Sequence, residues 1–135
     1  MCVLIVEDDA TLGMVYKRNL DKLGLKSYIA VTGEEAIAEI QSSGVDYGLV
    51  LLDIGLPQMD GLSVAQGMRE LGTDCPIIAI TAGHSSKEEC LKSGMDDYFT
   101  KPVFMKELES IIHKWDVGRC PGEGSHRKEQ SRKPS

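Results

Sequence analysis

The stretch "LVLLDIGLPQMDGLS", residues 49–63, poses the question that decides the fold. Leu49 to Leu52 are four apolar residues in a row, the pattern of a strand buried on both faces of a sheet. Asp53 follows at once, and Gly55, Pro57 and Gly61 interrupt the chain within eight positions. A carboxylate closing a buried strand needs a reason.

Working outward, similar short apolar runs occur at residues 3–6, 27–31, 77–80 and 98–100. Stretches of helical period lie between them. Leu12, Tyr16, Leu20 and Leu23 form one apolar stripe, with Gly24 as its stop. Thr32 and Glu35 have capping-box spacing for a helix running to about Ser43. Ser85 with Glu88, or Ser86 with Glu89, can start a helix that ends at Gly94, and Leu108, Ile111, Ile112 and Trp115 form the last stripe. Alternating strands and helices predict an α/β domain built on a parallel sheet.

The chain has 135 residues, 41% hydrophobic and 27% charged, which suits one soluble domain rather than two. No apolar run approaches the length of a membrane span, and "MCVLIVEDD" lacks the basic region and cleavage site of a signal peptide, so a cytoplasmic location and no membrane contact are expected. Cys2, Cys75, Cys90 and Cys120 show no paired spacing and read as reduced thiols. Net charge is −6, unevenly spread: residues 117–135 hold five basic and two acidic residues, a net of +3, leaving −9 for residues 1–116. The acidic body argues against nucleic acid as the partner of the folded part. Residues 1–116 are read as the domain and residues 117–135, rich in Gly, Pro, Ser and charge, as a disordered basic tail.

In an open α/β sheet ligands bind beyond the carboxyl ends of the strands. The residues there are Glu7, Asp8 and Asp9 after the first strand, Asp53 after the third, Thr81 after the fourth and Lys101 after the fifth. If the first and third strands are neighbours, Asp8 and Asp53 face each other a few ångströms apart. Two like charges at ~4 Å repel by about 4 kcal/mol at an effective dielectric of 20, a cost that a cation removes. Oxygen ligands with open positions suit Mg²⁺ or Mn²⁺. Carboxylate, cation, ammonium and hydroxyl together make a phosphoryl-handling site with Asp53 as the nucleophile. Any one of these acids alone would read as a turn residue or helix cap; the set is what carries the reading.

The segments "LIVEDD" (4–9), "LLDIGLPQMDG" (51–61), "ITA" (80–82) and "GMDDYFTKPV" (94–103), in that order and spacing, resemble the receiver domain of two-component and phosphorelay response regulators. The resemblance implies a flavodoxin-like (βα)5 sandwich with a five-stranded parallel sheet of order 2-1-3-4-5. It implies that Asp53 accepts a phosphoryl group from a histidine kinase or a histidine phosphotransfer protein. It implies metal ligation by Glu7, Asp8, Asp53 and the Gly55 carbonyl, with Asp8 and Asp9 as the other possible register for the acidic pair. Lys101 and Thr81 would contact the phosphoryl oxygens, and the Lys101–Pro102 bond would be cis. Thr81 and Tyr98 would form the switch that alters the surface of the fourth helix, fifth strand and fifth helix, toward a downstream protein target or the rest of a hybrid kinase. Such a domain catalyses only its own phosphorylation and dephosphorylation. His84, near the site, reads as a solvated loop residue.

An NTPase would need a G-x-x-x-x-G-K-[ST] loop, which is absent, and an aspartyl phosphohydrolase would need an acid where Gly55 stands. The remaining alternative is a receiver-like interaction module that is never phosphorylated.

Overall fold

The computed structural model describes residues 2–42, 44–55, 61–83 and 87–115. Five strands, β1 (Cys2–Val6), β2 (Lys26–Ala30), β3 (Tyr47–Asp53), β4 (Ile77–Thr81) and β5 (Asp97–Thr100), alternate with five helices, α1 (Ala10–Lys22), α2 (Gly33–Ser42), α3 (Gly61–Glu70), α4 (Lys87–Lys92) and α5 (Met105–Lys114). All strand pairs are parallel, and their order is β2-β1-β3-β4-β5.

The expected elements are present, with ends that move for local reasons. β3 takes in Asp53 because β4 continues the ladder beside it, pairing Asp53 with Ile80. β2 stops at Ala30 rather than Val31, since the Val31 N–H donates to Glu35 Oε1 at 2.9 Å instead of to a strand. Thr32 Oγ1 accepts from Glu35 N at 3.0 Å, so the capping signal starts α2 and also ends β2. Gly24 and Gly94 follow α1 and α4 with φ of 83° and 100°, the left-handed conformation in which glycine is unstrained. The Ser85 and Ser86 caps, His84, Ser43 as a helix end and the tail at 117–135 lie outside the described residues. Cys2, Cys75 and Cys90 are in the thiol form.

The apolar run in β3 is explained by burial on both sides. Leu49 and Leu51 pack with Val3, Ile5, Tyr16, Leu20, Leu108 and Ile111, a core under α1 and α5. Val50 and Leu52 pack with Leu4, Val6, Ala36, Val64, Met68 and Cys90, a core under α2, α3 and α4. A central strand of a three-layer sandwich has no polar face, so alternation disappears from its sequence.

Two further contacts hold the ends of the sheet. The Arg69 guanidinium donates to the carbonyls of Thr73, Cys75 and Gly94 and to Asp96 Oδ2, which also accepts from Ile77 N, so one side chain ties α3 to the starts of β4 and β5. At the opposite end, Gly61 N–H donates to Ile54 O at 3.4 Å, and a Cβ built on Gly61 would lie 2.3 Å from Ile54 Cα. That approach is open only to glycine. Gly61→Ala should therefore cost about 2 kcal/mol of stability, read as a lower urea midpoint at unchanged m-value; an unchanged midpoint would show that the backbone yields there without penalty.

An acidic pocket at the carboxyl edge of the sheet

Strand period places the pocket. Ile5 and Leu51 are register partners whose side chains enter the α1/α5 core. Two residues further along each strand, on the same face, come Glu7 and Asp53. Phe99 belongs to that face as well, and two residues beyond it is Lys101. The three side chains thus project over one rim, above Ile5, Leu51 and Ile80.

They meet there. Lys101 Nζ lies 3.0 Å from Asp53 Oδ2 and 3.3 Å from Glu7 Oε1. One oxygen from each of Glu7, Asp8 and Asp53 falls within 4.8 Å of the others. Glu7 and Asp53 are 1% and 3% exposed, whereas Asp8 faces solvent. Three carboxylates around one ammonium leave an excess of two negative charges if all ionise. Asp9, the other candidate for the acidic pair, is used elsewhere, since its Oδ1 accepts from Thr11 N and Leu12 N and caps α1.

Backbone contacts steady the rim. Asp53 Oδ1 accepts from Gly55 N at 2.9 Å, and Glu7 Oε2 from Asp9 N at 3.1 Å. Lys101 N donates to Thr81 O at 2.7 Å, and the Lys101–Pro102 bond is cis. Gly55 is exposed two residues past Asp53, tied to the pocket through its N–H. Thr81 is fully buried, its Oγ1 accepting from Gly83 N at 3.0 Å.

Thr81 and Tyr98 belong to the other face. Ala79, two residues before Thr81, is the register partner of Tyr98, and Ala79 and Tyr98 both pack into the α2/α3/α4 core. Alternation directs Thr81 the same way. Tyr98 is half-buried.

The electrostatics follow from burial and crowding. Burial, with the Asp53 charge behind it, pushes the Glu7 carboxyl up to about 7. Burial works against the Lys101 ammonium, but the hydrogen bond and charge of Asp53, reinforced by Glu7, hold its pKa above the ordinary lysine value. Glu7 Oε1 is buried and makes no hydrogen bond of good geometry, although the lysine stands beside it. A buried carboxylate oxygen left over in an all-oxygen, excess-anionic cluster is what a hard divalent cation takes as a ligand, so the residues fit such an ion.

Tyr16 escaped the sequence reading, which took it only as part of a helical stripe. It is 1% exposed, its hydroxyl is buried without a well-formed hydrogen bond, and the charges of Glu7, Lys101 and Asp53 act on it. The one available signal was a hydroxyl at a position where Leu or Phe would serve the core equally well.

Comparison with known proteins gives a consistent set. A family model described as the response regulator receiver domain matches residues 3–113. Two-component response regulator 24 of Arabidopsis thaliana is 31% identical over 116 residues, covering 84% of this chain and 83% of that protein. The hybrid signal transduction protein dokA of Dictyostelium discoideum is 37% identical over 116 residues, 84% of this chain but 7% of that protein. The chain thus spans a small fraction of the hybrid proteins it matches. Among solved structures, a CheY-like response regulator receiver domain protein from Methanospirillum hungatei superposes with a TM-score of 0.77 at 31% identity, covering 96% of each chain. A two-component response regulator from Clostridium difficile gives a TM-score of 0.78 at 30% identity over 84% of this chain and 93% of that one.

Proposed function

Given that the chain belongs to the response regulator receiver domain family, we propose that Asp53 is its phospho-acceptor, taking a phosphoryl group from the phosphohistidine of a histidine kinase or histidine phosphotransfer protein. The supporting observation is the convergence of Glu7, Asp8 and Asp53 within 4.8 Å, with Lys101 Nζ 3.0 Å from Asp53 Oδ2. Glu7, Asp8, Asp53 and the Gly55 carbonyl are the groups to hold Mg²⁺. A bound Mg²⁺ supplies positive charge against the phosphoryl oxygens.

In the transfer, an Asp53 carboxylate oxygen forms a bond to phosphorus as the phosphorus–nitrogen bond to the donor imidazole breaks, and the imidazole keeps the electron pair. Lys101, already at the carboxylate, moves its ammonium to a phosphoryl oxygen. The Thr81 hydroxyl donates to another. Hydrolysis of the acyl phosphate by water at the same pocket returns Asp53, so the domain catalyses its own phosphorylation and dephosphorylation.

Thr81 and Tyr98 share the face opposite the acids, which suits a relay: Thr81 drawn toward the phosphoryl group vacates space that the Tyr98 ring fills. The altered surface of α4, β5 and α5 is the output to a downstream protein or to the rest of a hybrid kinase, in the cytoplasm. A module that is never phosphorylated is the weaker reading, because it leaves the buried like charges of Glu7 and Asp53 without purpose.

Incubation with Mg²⁺ and acetyl phosphate should add the mass of one phosphoryl group, hydroxylamine should remove it as expected for an acyl phosphate, and peptide mapping should place it on Asp53. Folded protein that takes up no label, or takes it elsewhere, would refute the proposal.

A further inference from the structure

The Tyr16 ring belongs to the core on the pocket's side of the sheet, with Ile5, Leu51, Ile80 and Val103. Ile5 and Leu51 each precede a pocket carboxylate by two residues, and Val103 follows Lys101 by two. The ring therefore shares a core with residues two positions from each of the three charged groups. A phenylalanine would fill the same volume without burying a hydroxyl, and an unpaired buried hydroxyl lowers stability. Here the phenol oxygen meets the backbone amide of Val103 without closing a well-formed hydrogen bond, and the charges of Glu7, Lys101 and Asp53 reach it. Val103 is itself buried, so its amide has little access to water.

We propose that Tyr16 is a positioning residue for phosphoryl transfer: its buried hydroxyl closes on the Val103 backbone N–H when Lys101 shifts to the phosphoryl group, holding the Lys101–Pro102–Val103 turn in place. The inference rests on the assignment of Asp53 and Lys101 above. Lys101 bonds to carboxylates before transfer and to a phosphoryl oxygen after it, so the turn that carries the lysine has two positions to distinguish. A hydroxyl unsatisfied in the first and satisfied in the second favours the second. Its poor geometry in the free protein is then a bias toward the phosphorylated form.

The test is Tyr16→Phe. Its melting temperature without ligand should equal or exceed that of the unaltered protein, while the rate of phosphorylation by acetyl phosphate falls about tenfold, the worth of one hydrogen bond made only as transfer proceeds. On a Lys101→Ala background the same substitution should change the rate no further. A role in packing alone predicts an unchanged rate, because phenylalanine fills the same volume, and that result overturns the proposal, as does a rate loss of the same size on the Lys101→Ala background. In the unaltered protein, beryllofluoride with Mg²⁺ should slow hydrogen exchange at the Val103 amide, and an unaffected amide would also overturn it even if Tyr16→Phe did not fold. Absence of any Asp53 phosphorylation in the unaltered protein would remove the underlying assignment, whereas normal phosphorylation with an indifferent Tyr16→Phe removes only this inference.

Discussion

Asp53→Asn should fold like the unaltered protein and lose phosphorylation by at least ~10³-fold, since a neutral amide oxygen is a far weaker nucleophile than a carboxylate. The substitution is nearly isosteric. The Gly55 N–H that donates to Asp53 Oδ1 can donate equally to the amide oxygen, and Lys101 Nζ keeps Glu7 Oε1 at 3.3 Å as a partner. Loss of activity would then report chemistry rather than collapse, which circular dichroism and the urea midpoint check directly. Glu7 offers a second reporter. Part of its upward shift comes from the Asp53 charge, so its carboxyl should titrate lower in the variant, yet above the ordinary value because burial remains. Label appearing on Asp53→Asn at the original rate would end the assignment of this residue as the acceptor.

The second large effect is on stability as a function of pH. Glu7 titrates at about 7 in the folded chain against 4.5 for the free side chain. The folded state therefore binds this proton more tightly than the unfolded one. By linkage the contribution is fully present below about pH 4.5, is lost as pH rises through 7, and is flat above. A shift of that size corresponds to roughly 3 kcal/mol. Urea unfolding in a chelator at a series of pH values, with Glu7→Gln as the reference that cannot ionise, isolates the group: the unaltered protein should lose about 3 kcal/mol relative to the variant across the window. Two parallel curves would mean that Glu7 is not held protonated by its surroundings. Millimolar Mg²⁺ should reverse the loss at pH 7 and above, because the ion binds the carboxylate and not the acid. Calorimetry in buffers of different ionisation heat should detect about half a proton released per ion bound at pH 7.

Both predictions draw on one feature: the pocket is costly before it acts. Glu7 and Asp53 are buried side by side with one lysine between them, and a fold selected for stability alone would exclude at least one of these charges. The cost is tolerable because it falls at the sheet edge, above a continuous apolar floor of Ile5, Leu51 and Ile80. Anything that brings positive charge to the pocket would relieve it.

Much of this was readable from the order of residues. The five strands announce themselves because apolar runs and helical stripes are local periodicities, each contained in a dozen residues. The acids at 7, 8 and 53 and the lysine at 101 could be nominated because the carboxyl end of a strand is a position along the chain. The strand order came from the resemblance of four segments to a family. What the chain order could not carry was which side of the sheet each group takes and how far from water it lies. Glu7 and Asp53 are 46 residues apart, and their meeting depends on β1 lying beside β3 in one register; a slip of a single residue would send the two carboxylates to opposite faces. The pairing of β4 with β5 likewise put Thr81 and Tyr98 behind the sheet from the acids, whereas Asp9 as the cap of α1 was legible locally, since it directly precedes the helix. Local pattern determined the elements, because propensity and burial act within a segment; strand register alone decided the chemistry, because a charge is shifted only by neighbours that tertiary packing supplies.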